Sequence, residues 1–175
     1  MKTIKLRIHT WPEKILRKVC KEVKVIDQSV LCNLDEMLKL MRKTKGMGLA
    51  ANQAGLSESL VVVEILDQVF KLINPRITKQ EGSITFLEGC LSFPDLEMDV
   101  KRAKKILVEA LDEKGRKIEF ETEGPLAVIF QHEIDHVQGK VFIDRIPLWK
   151  KLQIAPKLKK IVKKTKDELR KQKKE

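Results

Sequence analysis

Two of the three histidines in this chain, His132 and His136, stand four residues apart in the segment QHEIDHVQG, with Glu133 beside the first. On a helix that spacing is one turn, so both imidazoles point to one side and offer nitrogen to a single metal ion. Glu133 falls on the adjacent face, where its carboxylate reaches a water on that ion without ligating it. The same pattern also arises from two histidines on the surface of an amphipathic helix, so a third ligand has to be found. His9, the remaining histidine, reads as a strand residue.

The identity of the third ligand separates the chemistries. A thermolysin-like zinc protease takes a glutamate from a later helix, yet none occurs between Glu133 and Glu168. The longer pattern HExxHxxGxxH needs a histidine where this chain has Phe142, although Gly139 matches. Cys90 remains, in the segment EGCLSFP, with Gly89 permitting close backbone approach and Pro94 ending the segment, so that the thiol is presented from a strand end. A Cys/His/His set leaves a fourth position open, as catalytic sites do, whereas a structural site closes it with another cysteine or histidine. Taken alone, Cys90 also fits a buried thiol without function.

Positioning these groups requires a particular set of elements. Pro12 and EKILRKV suggest a short first helix. A second runs from about Ser29 to Lys45, where Leu31, Leu34, Met37, Leu38 and Met41 recur at helical spacing before Gly46. GMGLAANQAG, residues 46–55, has no helical period and reads as a closely packed loop or irregular strand. Leu60 to Asn74 reads as two strands turning near Asp67 and Gln68, and Ile106 to Glu121 as a hairpin turning over Asp112 to Gly115. Gly124 and Pro125 open the helix that carries the histidines, with Leu126, Ile129, Phe130, Glu133 and Val137 as its inward stripe. Past Pro147 and Pro156 a lysine-rich helix shows only a thin apolar line, Leu158, Ile161, Val162 and Leu169. The order implies an α+β fold, antiparallel or mixed strands packed around a central metal-binding helix, followed by a C-terminal helix.

A chain of 175 residues accommodates one well-buried core. No apolar run approaches the roughly 18 residues of a membrane span, and the opening MKTIKLRIHTWPEKIL does not read as a secretory signal, so a cytoplasmic protein without membrane contact is expected. Three cysteines without an export signal are better treated as thiols than as a disulfide framework; Cys20 and Cys32 read as small buried hydrophobes. Net charge is +11, and residues 150–175 hold 12 Lys/Arg against 3 Asp/Glu. The division expected is a nearly neutral catalytic domain over 1–149 and a basic helical tail over 150–175. Such a tail is either a solvated helix or a docking element for an RNA surface. An RNA-binding protein with a structural metal is therefore the competing class, and Glu133 argues against it.

GMGLAANQAG, EGCLSFP and QHEIDHVQG, in this order and at these separations, resemble the three signature motifs of the peptide deformylase family, over most of the chain to about Arg145. The resemblance implies a hydrolase that removes the formyl group from the N-terminal formylmethionine of nascent polypeptides. Cys90, His132 and His136 would hold one divalent metal, natively Fe(II), with zinc, nickel or cobalt able to substitute. Glu133 would be the general base and acid, while the Gln53 side chain and the Leu91 N–H would face the developing oxyanion. A glutamine in such a loop also serves simply to brace backbone. Gly48 would accept the substrate backbone, and Met47, Phe86, Glu88, Val128 and Ile129 would form the methionine pocket. Two departures stand out: Asn52 where many members carry proline or threonine, and Glu97 where some carry a basic residue that holds the peptide. Arg102 is the candidate substitute for that contact. Because formylated chains emerge from ribosomes, ribosomal RNA is the surface a docking tail over residues 150–175 would meet, beside the commoner reading of a solvated helix.

Overall fold

Leu60, Val61, Val62 and Val63 are all buried, and strand alternation sends them to two different cores. The computed structural model describes residues 6–172; the start of the amino-terminal stretch and Lys173, Lys174 and Glu175 of the basic tail lie outside the described residues. Among the described residues the strands are β1 (Gly48–Ala50), β2 (Leu60–Ile65), β3 (Gln68–Glu81), β4 (Ile84–Cys90), β5 (Phe93–Arg102), β6 (Lys105–Leu111) and β7 (Lys117–Glu123). The α-helices described are α1 (Gln28–Lys43), α2 (Gly124–Val137) and α3 (Leu148–Gln172). The strands form an antiparallel five-stranded sheet in the order β1-β2-β3-β6-β7 and a separate antiparallel ribbon of β4 and β5. The α+β reading holds.

Leu49, Leu60, Val62 and Ile73 face α1, whose buried stripe is Val30, Leu34, Met37, Leu38 and Met41. Asp27 caps that helix, its carboxylate accepting from the N–H groups of Ser29 and Val30, each at 3.0 Å. On the opposite face of the sheet, Ala50, Val61, Val63, Leu72 and Val108 pack against α2. A third core joins Phe93, Leu96, Met98 and Val100 of β5 to Phe142, Ile143, Ile146 and Ile161. Thus α2 lies between the sheet and the ribbon, and every residue from Ala127 to Val137 is buried. That corrects the single inward stripe: a helix covered on all sides needs no polar face, and Leu126 is only half-buried.

Several local expectations change. The first helix is one 3-10 turn, Lys14–Arg17, too short for an α-helical repeat. Strand β3 continues seven residues past Asn74, absorbing Asn74 (φ 53°) and Pro75 through a register shift before Arg76. Pro94 lies inside β5, tolerated because each strand of a two-stranded ribbon has a free edge. Pro156 sits within α3; Leu152, whose carbonyl loses its helical donor there, is largely exposed to water. His9 belongs to no strand, and Cys32 is exposed while Cys20 is half-buried. Among the described residues no helix is long and apolar enough to cross a membrane.

Candidate active site

The buried helix α2 presents His132 and His136 on one side, and Cys90, the last residue of β4, meets them there. One ligand atom from each of the three lies within 4.8 Å of the other two, and the Cys90 Sγ to His136 Nε2 separation is 3.3 Å. A tetrahedral ion with metal–sulfur and metal–nitrogen bonds of about 2.3 and 2.1 Å sets its ligand atoms roughly 3.4 to 3.6 Å apart. The donor set and its spacing therefore fit a divalent metal. Burial, with His132 and Arg102 adding to it, holds His136 well below the usual imidazole range, which keeps it neutral. For His132 burial also acts downward, but the Cys90 sulfur, Glu88 and Glu133 outweigh it and favour positive charge on that ring.

His132 is oriented from behind. Its Nδ1 bonds Glu88 Oε2 at 2.8 Å, leaving Nε2 for the site. Arg102 grips the same carboxylate with Nε on Oε1 at 2.7 Å and an Nη on Oε2 at 3.0 Å. Burial would raise the Glu88 carboxyl, yet the bonds from Arg102 and His132 prevail and hold it at about 2. Arg102 is only 4 % exposed and also pairs with Asp135, so it cannot reach out to hold a peptide. That corrects its assignment as a substitute for a basic residue at position 97.

Glu133 follows His132 on the buried helix α2. Its Oε2 is buried without a hydrogen-bond partner among the described residues, and burial pushes the carboxyl up to about 7 against the pull of His132. Gly48, opening β1, passes so close that an added Cβ would stand 2.6 Å from Glu133 Oε1. Gln53 is buried in a single 3-10 turn, Ala51–Ala54; its Oε1 accepts from the Ala50 N–H at 2.8 Å. Its Nε2 donates toward Cys90 Sγ at 3.4 Å and Ser92 Oγ at 3.3 Å. Gln53 is thus a brace through its oxygen and a donor facing the site through its nitrogen. Leu91 follows Cys90, its side chain against Gly46.

A cleft of about 900 Å³ opens over this cluster, lined by Met47, Gly48, Gln53, Phe86, Val128 and Ile129 together with Cys90, Leu91, His132 and Glu133. Glu88 lines it too, but its carboxylate is committed to His132 and Arg102. Met47 is more exposed than the rest, at 56 %.

The profile of the polypeptide deformylase family matches residues 5–152. The chain belongs to the polypeptide deformylase family. A peptide deformylase of Aquifex aeolicus is 40% identical over 159 residues, 87% of this chain and 94% of that one. One of Acetivibrio thermocellus is 45% identical over 134 residues, 77% of this chain and 79% of that one. Among solved structures, a peptide deformylase of Legionella pneumophila superposes with a TM-score of 0.83 at 39% identity, covering 88% of this chain and 93% of that one. Membership makes this chain an enzyme of the peptide deformylase class.

Within this deformylase fold, sequence reasoning missed Ser92, Asp135 and Arg145 and gave Asn52 no role beyond a departure from the family pattern. Asn52 donates to the carbonyl of His136 and to that of Lys18 at 3.4 Å, so it ties the glycine-rich segment to the end of the metal-ligand helix. An aspartate within the apolar, fully buried stretch of α2 was the available signal for Asp135.

Proposed function

We propose that the chain hydrolyses the N-formyl group from the formylmethionine that begins new polypeptides, using one divalent metal held by Cys90, His132 and His136. The observation that carries this reading is the convergence of those three ligand atoms beside the unpartnered, buried Oε2 of Glu133. When bound, the cation polarises the formyl carbonyl and lowers the pKa of water in the site to about 7. Glu133 takes the proton from the attacking water and returns it to the departing amine, a task suited to a carboxyl poised near 7. Gln53 Nε2 and the Leu91 N–H stabilise the oxyanion. Gly48 receives the substrate backbone where a side chain would strike Glu133. The methionine side chain lies among Met47, Phe86, Val128 and Ile129, while Glu88 closes the pocket and fixes His132. By the family resemblance the native metal is Fe(II), with zinc, nickel or cobalt as substitutes, and ferrous iron on a thiolate implies that activity fades in air.

Assay of formyl-Met-peptide hydrolysis beside casein cleavage, after anaerobic purification, tests the reading. Only the first activity is expected, and Glu133→Ala should keep bound metal while losing about 10²- to 10⁴-fold in turnover. Casein cleavage, or full turnover by Glu133→Ala, would sink it.

We also propose that residues 1–149 form the catalytic domain and that the basic tail, residues 150–175, holds it near ribosomal RNA in the cytoplasm, where formylated chains emerge. Seven lysines of α3, among them Lys159, Lys163 and Lys166, are exposed, and Leu148, Trp149 and Leu152 lie bare beside them at 71%, 57% and 67% exposure. Co-sedimentation with ribosomes across a salt series should fall when Lys159, Lys163 and Lys166 are changed to Gln. Equal, salt-insensitive retention removes the idea.

A further inference from the structure

The carboxylate that orients His132 is itself one link in a longer row of charges. Glu88 takes two bonds from Arg102; the third nitrogen of that guanidinium turns away to Asp135 Oδ2. Asp135 takes a further pair from Arg145, with Nε on Oδ2 at 2.9 Å and an Nη on Oδ1. Glu88, Arg102 and Asp135 are 5%, 4% and 4% exposed, whereas Arg145 is exposed at the end of the 3-10 turn Phe142–Arg145. Arg102, Asp135 and Arg145 border a second, small cleft of about 340 Å³ with Lys101 and Gln131. None of its lining residues is shared with the catalytic cleft. The row therefore alternates negative, positive, negative, positive from the metal-ligand histidine to solvent elsewhere on the molecule.

We propose that Asp135 and Arg145 are positioning residues that set, through Arg102 and Glu88, how strongly His132 binds the metal. This inference rests on the metal site of the proposed function. Each link divides one charge between two neighbours. Arg102 is shared between Glu88 and Asp135, so whatever Asp135 claims of it is withheld from Glu88. A less neutralised Glu88 is a better acceptor for the His132 Nδ1–H, and a stronger bond there makes the opposite nitrogen a better ligand. Two changes at neighbouring positions then act in opposite directions. Asp135→Asn hands Arg102 wholly to Glu88 and weakens the ligand. Arg145→Met frees Asp135 to draw harder on Arg102 and strengthens it. A purely structural network behaves otherwise, since breaking it at either point loosens the same site.

The experiment titrates cobalt(II) into the anaerobically purified full chain stripped of metal, in competition with a chelator, following the thiolate-to-cobalt absorption band. Thermal unfolding of each stripped variant is recorded alongside. Asp135→Asn is expected to raise the cobalt Kd about tenfold, at the low end of the range for groups behind a ligand. Arg145→Met is expected to lower it by about half or more. Shifts in the same direction, or no shift in either, overturn the proposal. Should Asp135→Asn fail to fold, Arg145→Met decides alone, and an unchanged or raised Kd overturns it. Wild-type chain that takes up cobalt without the thiolate band contradicts the metal site of the proposed function instead.

Discussion

Gly48 and Glu133 are in such close register that a single methyl on the glycine would overlap the carboxylate, 2.6 Å from Oε1 and 2.8 Å from Cγ. A real Cβ is never tolerated that near, and Glu133 is enclosed, so the carboxylate has to swing away from its place beside the ligand triad. Gly48→Ala is therefore expected to lower kcat by about tenfold to a hundredfold, the usual cost of misplacing a proton acceptor by about an ångström. Metal content should be untouched, because neither imidazole nor the thiol moves. Stopped assays paired with metal analysis check this, and loss of metal in step with activity would contradict it.

Gln53 separates two roles by atom. Its oxygen satisfies the Ala50 N–H and its nitrogen faces Cys90 and Ser92. Gln53→Met removes both and leaves a buried N–H unpaired, so stability should fall by about 1–3 kcal/mol and turnover by about 10²-fold. Gln53→Glu retains the acceptor for Ala50 but cannot donate. It should regain none of the activity and little of the stability, since the ionised carboxylate is buried beside the Cys90 sulfur, as read from formyl-peptide turnover and urea unfolding. Recovery of activity by the glutamate would leave the side chain only a brace.

The parts of this site that were legible in the sequence are those whose geometry is local. His132, Glu133 and His136 follow from the helical repeat, and the β-branched run VVVEI reads as a strand, which is β2. The row from Glu88 to Arg145 was not legible, because its members come from β4, β5, α2 and the turn after it, and only the tertiary fold brings them together. Arg102 illustrates the difficulty: a charged residue at a strand end reads as solvent-facing until its two carboxylate partners are in view. Pro94 and Pro156 misled for a different reason, since a free strand edge and a water-exposed stretch of helix around Leu152 lessen the usual penalties.

The thin apolar line of α3 is a docking seam. Ile161 is 7% exposed and packs with Phe93, Leu96 and Ile143, and Thr165 bonds Thr10 at 2.8 Å. Ile161→Ala should cost about 2–4 kcal/mol, lowering the thermal midpoint by about 5–15 °C for a chain of this size. A midpoint within about 1 °C of wild type would show that the helix contributes charge alone.

Acid should loosen the amino-terminal segment through Glu13. Its carboxylate, 10% exposed, accepts from Arg7 at 2.9 and 2.6 Å and from the Thr10 N–H at 2.9 Å, and it bonds His9 Nδ1 at 2.7 Å. Burial raises its pKa, but those bonds outweigh burial and hold it at about 2 against an ordinary 4.5. A carboxyl whose folded value is depressed favours folding at pH above its unfolded value, and the benefit disappears as pH falls from about 4.5 toward 2. Glu13→Gln should therefore be less stable than wild type at pH 7 and at pH 5, and the gap should narrow at pH 3. Urea midpoints at those three values test it; a gap that stays constant down to pH 3 means the carboxylate charge contributes nothing to holding Arg7 and His9 in place.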